Sequence, residues 1–191
     1  MIDLFAQSRA LFEKYAAFDG NTDEIRKAGY PLHALQVDLA RWHVHNFGCC
    51  DAREMALGIC EEVGEFARSI RLCDSIDAVG DIAIFASQLL TLNRLSISWM
   101  GGCVLASQNK SIEQVVSSAG LIAHTVLKRA QRIRRGVIDG IEQYRREIYH
   151  WARTLLFELS RFGIDISAAY VSTAVDVLKR DWKASPLTGK V

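Results

Sequence analysis

Glu61-Glu62-Val63-Gly64-Glu65, followed by Asp77-Ala78-Val79-Gly80-Asp81, are the two runs that decide how this chain is read. Glu61/Glu65 and Asp77/Asp81 are four residues apart and Glu62/Glu65 three, so each run stacks carboxylates on one face of a helix. Like charges at that spacing destabilise a helix by roughly 0.2–0.5 kcal/mol per pair. An isolated E-E-x-x-E is most often a solvated face pairing with Arg and Lys. Here both runs are embedded in apolar sequence, from Ala56 to Ala67 and from Ile76 to Phe85, which sets the acids beside a buried surface. That pattern calls for a compensating cation, and Mg²⁺ held by carboxylates and substrate phosphates is the usual one. Two facing helices with inward carboxylates would hold one or two ions, lower the pKa of a bound water and direct it at a phosphorus. An acid further out would take the water's proton.

Outward from these runs the chain reads as helix throughout. Leu4, Phe5, Leu11, Phe12, Tyr15 and Phe18 predict an amphipathic helix over residues 2–18. Further helices are expected over about 32–46, stopped by Gly48, and over 54–72, carrying the first acidic run. A fourth, capped by Asp74 or Ser75, carries the second run to about residue 95. Ser111 caps a long helix to Arg135, residues 142–161 form the next, ended by Gly163, and 166–182 the last. Half of the 191 residues are hydrophobic and only Pro31 and Pro186 are prolines, so the expected class is an all-α helical bundle. A net charge of +1 supplies no global field for a nucleic acid polymer or an anionic membrane. No run is read as reaching the ~18–20 apolar residues of a spanning helix. Five cysteines, an odd number without a C-x-x-C, suit unpaired thiols in a reducing cytoplasm.

A weak internal repeat is also present. Gln88 to Ile97 lines up with Leu155 to Ile164, and Gly58-Ile59-Cys60 with Gly120-Leu121-Ile122. On that alignment Glu61, Glu62 and Glu65 face Ala123, His124 and Leu127, and Asp77 and Asp81 face Tyr144 and Ile148. The second copy keeps the apolar pattern and loses every acid. Three regions follow: an N-terminal helical extension (1–31), a half bearing the acids (32–97), and a degenerate second half with the C-terminal helix (98–191).

The paired acidic runs resemble the signature of the MazG-like all-α nucleoside triphosphate pyrophosphohydrolases, a group related to the dimeric dUTPases: E-E-x-x-E, a spacer, then E-x-x-D. Leu35 to Gly48 resembles the first helix of that family, and Gly163-Ile164-Asp165 with Val177 to Trp182 its ending. The resemblance implies a helical bundle that pairs as a dimer and cleaves (d)NTPs between the α- and β-phosphates with Mg²⁺ or Mn²⁺, giving a monophosphate and pyrophosphate. By motif, Glu62, Glu65 and Asp81 match metal ligands and Glu61 the acid that supports the site or its water. The Glu of E-x-x-D falls on Ala78; Asp77, one residue earlier, is the stand-in. If it does not substitute, metal affinity and rate fall.

Within that frame, residues 110–182 would act as a built-in degenerate partner, making one chain a pseudo-dimer with a single site: a monomer, or a homodimer if it pairs again. Lys128, Arg132 and Arg135 share a helix face that either clamps the phosphates or is a solvated basic face. Gln36, Trp42 and Asn46 are candidates for holding the base, with Trp42 equally a core anchor. Lys179 and Arg180 either close over the nucleotide or complement a helix dipole. Two other readings remain: a catalytically degenerate helical module that binds nucleotide or protein, and a phosphoribosyl-ATP-type hydrolase.

Overall fold

The computed structural model describes residues 32–48, 51–97, 110–131 and 139–186, and every element in them is a helix. In chain order they are α1 (Leu32–Phe47), α2 (Ala52–Arg68), α3 (Leu72–Leu92), α4 (Ile112–Ala130), α5 (Asp139–Ser160) and α6 (Ile166–Leu178). The protein is an all-α bundle, as its composition predicts. The expected helix over 2–18, the break near Gly101 and the residues Arg132, Arg135, Cys49, Cys50 and Cys103 lie outside the described residues. Cys60 and Cys73 are free thiols.

Local chemistry sets the helix ends. Asp51 caps α2 by accepting from the Arg53 amide at 2.8 Å, and Asp165 caps α6 by accepting from the Ala168 amide at 3.1 Å. Ser111 caps α4, as its spacing predicts. Gly48 (φ +83°) and Gly163 (φ +85°) turn the chain after α1 and α5 in the left-handed region that glycine enters freely. The start of α3 differs from expectation: Arg71 is its N-cap and makes no side-chain cap bond. Asp74 lies in the first turn with its carboxylate on the Arg71 guanidinium at 2.7 and 2.8 Å, and Ser75 bonds Ser69 at 2.6 Å, so neither caps.

Helix α3 is the centre of the bundle, packed against α2, α6, α1 and α5. By length and composition it meets the requirement for crossing a membrane, correcting the reading that no run approaches it, but most of its surface is buried in the bundle. Close crossings explain two glycines. A Cβ on Gly80 would stand 1.9 Å from the Thr173 hydroxyl and 2.9 Å from the Ala169 carbonyl of α6. One on Gly58 would meet the Phe85 ring at 2.6 Å. Helices α2 and α3 form one hairpin, α4 and α5 another, and α2 packs across α4. Phe66 near the end of α2 meets Phe162 edge to face, Lys110 before α4 overlies the Phe162 ring, and Arg129 at the end of α4 overlies Tyr144. All six helices contribute to one continuous core.

Burial corrects the register of the repeat by one residue in each helix. Met55, Ala56, Ile59 and Val63 match the buried Ser118, Ala119, Ile122 and Val126. Ile82, Ala86, Leu89 and Leu90 match Ile148, Ala152, Leu155 and Leu156. Glu62 and Glu65 then face Thr125 and Lys128, and Asp77 and Asp81 face Gln143 and Glu147. One acid, Glu147, is therefore retained in the second half.

Candidate functional site

The three-residue connection Ser69-Ile70-Arg71 folds α3 back on α2 and brings both acidic runs to one end of the hairpin. Helical phase does the rest. Val63 and Phe66 point into the core, Glu61 and Glu65 into solvent, and Glu62 stands half-buried between them. On α3, Ala78 and Val79 are buried, Asp81 is half-buried and Asp77 exposed.

The acids feel one another. Desolvation, followed by the charges of Asp81, Glu65, Glu61 and Asp77, pushes the Glu62 carboxyl up to about 7. Desolvation and the Asp77 charge push Asp81 up to about 6, against the opposing pull of Arg180. Asp77 thus acts on both half-buried acids from the solvent edge, while the position of the motif's missing Glu is Ala78, packed at 3% exposure. The donor set is all oxygen and mutually repelling, which suits a hard divalent cation. As the side chains lie, no group of three or more Asp, Glu, His or Cys among the described residues is gathered tightly enough to grip an ion by itself. Mg²⁺ does not require such a cage, since it commonly keeps several waters and takes one or two carboxylates plus phosphate oxygens.

Of the remaining candidates, Arg180 is brought to the acids and most others are not. Trp42 donates its Nε1 proton to the Arg180 carbonyl at 2.7 Å, and Asn46 Oδ1 accepts from the Trp182 amide at 2.7 Å. The Asn46 amide also donates to the Trp42 carbonyl at 2.9 Å. These two residues tie the segment after α6 to the end of α1, an anchoring role that occupies the polar edges proposed for the base. Gln36 is 2% exposed, and its Nε2 approaches the Ser87 carbonyl, the Thr91 hydroxyl and the Leu95 carbonyl at 2.9–3.1 Å. Its Oε1 accepts from the Ile97 amide at 3.0 Å. It is a structural bracket, with no amide edge left for a nucleobase. Lys179 pairs with Asp176 at 3.0 Å.

Lys128 lies elsewhere. It lines a cleft with Thr125, Gln143, Tyr144 and Glu147, adjoining a second cleft that reaches Asn93 and Arg94 at the end of α3. Asn93 is twelve residues beyond Asp81, or about 18 Å along a helix. In one chain, Lys128 therefore does not face the acids, and the clamp drawn from it has no geometric basis there. The sequence offers no reason to single out Arg94, because its neighbours come from helices far away in the chain. No family model, curated protein or solved structure matches the chain.

Proposed function

We propose that the protein is a metal-dependent nucleoside triphosphate pyrophosphohydrolase that converts (d)NTP to (d)NMP and pyrophosphate, cleaning the cytoplasmic nucleotide pool. The observation that carries this reading is the convergence of Glu62, Glu65, Asp77 and Asp81 at one end of the α2–α3 hairpin. Repulsion among these groups is relieved by Mg²⁺ or Mn²⁺, which when bound screens phosphate charge and acidifies a water. Glu62, Glu65 and Asp81 would hold it, with Asp77 in place of the acid absent at Ala78. Glu61, exposed and one residue outside, supports the site or receives a proton from the water. Arg180 would meet the phosphates beside the acids, a position in which a guanidinium favours the charge that develops there.

Pyrophosphate release measured across the (d)NTPs with Mg²⁺ tests the reading. Release from at least one nucleotide, lost in Glu62→Ala, is expected; none from any, or full activity in Glu62→Ala, sinks it. The packed Ala78, at the place of the motif's missing acid, favours a second reading, a non-catalytic module that binds nucleotide or a protein partner. Metal-dependent nucleotide binding without turnover would select it.

A further inference from the structure

At the end of the bundle away from the acids, α3, α4 and α5 border an open cleft of about 370 Å³. Its walls include Arg94, Arg129, Arg145, Tyr144, Leu92 and Ile141. That volume is within the range of small-molecule sites, on the order of 300–1,000 Å³. Arg145 is engaged: its Nε donates to the Asn93 carbonyl at 2.8 Å and a terminal nitrogen meets Glu142 at 2.9 Å. Arg129 stands over the Tyr144 ring at 5.7 Å. Among the described residues neither Arg94 nor Arg129 has a carboxylate partner. The C-termini of α3 and α4 carry about half a negative charge each. With Glu142, they offset about two of the three guanidinium charges and leave the cleft positive.

Arg94 provides a second, independent observation. The Leu95 amide bonds the Leu90 carbonyl and the Arg94 amide the Thr91 carbonyl, closing α3 in a Schellman motif. The residue at its left-handed position, normally glycine, is Arg94 at φ 56°, the one non-glycine residue with positive φ among the described residues. A strained conformation kept by a long cationic side chain at the rim of a positive cleft is a feature that stability alone does not select. A third observation is positional. In the corrected repeat, Thr125, Lys128, Gln143 and Glu147 occupy the places of Glu62, Glu65, Asp77 and Asp81, and all four line the adjoining cleft. The second hairpin thus has a cavity where the first has its acids, with the charge changed from uniformly negative to mixed and basic.

We propose that this cleft is a second site, which binds a phosphorylated small molecule without a metal: Arg94 and Arg129 take the phosphate, and Leu92, Ile141 and the Tyr144 ring hold an apolar or aromatic body such as a nucleoside. The proposal rests on the cleft and not on the catalytic reading of the acidic end.

The test is calorimetric titration of the full chain with a nucleoside monophosphate, and separately with inorganic pyrophosphate, in EDTA so that a metal-requiring site is silent. The monophosphate is expected to bind wild type and Glu62→Gln alike. Arg129→Gln should bind at least tenfold more weakly. Arg94→Gly should do the same while melting at a higher temperature than wild type, because the strain is removed with the side chain. A merely structural arginine would not show that opposition of stability and binding. Absence of binding at millimolar monophosphate, or wild-type affinity in both arginine variants, overturns the proposal. Pyrophosphate binding as tightly as the monophosphate overturns the role of the apolar walls.

Discussion

Glu62 shows how a local signal in sequence becomes a physical property of the folded chain. Its relation to Glu65 on the same helix is legible from spacing alone, and its approach to Asp81 needs only that α3 fold back on α2. The pH dependence follows from direction. Carboxyls raised in the fold, Glu62 from 4.5 to about 7 and Asp81 from 3.8 to about 6, contribute most stability below their unfolded values. That contribution is lost as pH rises through about 6 to 7. The melting temperature of metal-free protein, taken relative to Glu62→Gln, should therefore fall between pH 4.5 and 7.5. Mg²⁺ added at pH 7.5 should restore it. A wild-type advantage that grows across this window would refute the crowding of these acids. Gln36 illustrates the reverse, since its polar type suggested a ligand contact while its partners lie more than fifty residues away. Gln36→Ala should cost about 2–3 kcal/mol in chemical unfolding by leaving the Ile97 amide and a carbonyl unpaired. KM for a nucleotide should not change.

At the scale of elements, helix identity was legible because apolar periodicity is local, and Gly48, Gly163 and Ser111 mark ends by their own local chemistry. Phase was not legible. Similar side chains slide past one another in an alignment, and the one-residue correction that pairs Glu147 with Asp81 came from which side chains are buried. Nor does sequence distinguish the two glycines at helix crossings, although their environments predict opposite outcomes. Gly→Ala in a helix gains about 1 kcal/mol from propensity. At Gly80 the new methyl meets the buried Thr173 and a backbone carbonyl, neither free to retreat, and overpacking of about 1–3 kcal/mol should leave a net loss. At Gly58 the obstacle is the ring of half-buried Phe85, which can swing aside. Urea denaturation should place Gly58→Ala within about 1 kcal/mol of wild type, with Gly80→Ala clearly below both. Equal losses at the two sites would mean that α2 and α3 cross as rigidly as α3 and α6.

At the scale of the whole molecule, the first and the last described segments meet beside the acids. Helix α1 opens the described structure, the segment after α6 closes it, and they meet where Trp42 and Asn46 hold the backbone of Arg180 and Trp182. His45 adds a contact to Asp181 at 3.6 Å. This strap sets Arg180 close enough to oppose the rise of the Asp81 carboxyl, although the two residues are far apart in sequence. If the acidic end binds nucleotide, the strap is what gives that end its cation, and loosening it should mimic removing the charge. Trp42→Phe keeps an aromatic ring but removes the indole N–H that bonds the Arg180 carbonyl, worth about 1 kcal/mol, together with part of the packing against His43 and Phe47. Steady-state kinetics should then show KM raised several-fold in Arg180→Ala and raised in the same direction, by less, in Trp42→Phe. Lys179→Ala, whose ammonium is already on Asp176, should match wild type. A KM unchanged in Arg180→Ala would mean that the phosphates do not approach from the strap. A KM raised in Arg180→Ala but not in Trp42→Phe would mean that the guanidinium finds the substrate without its anchor.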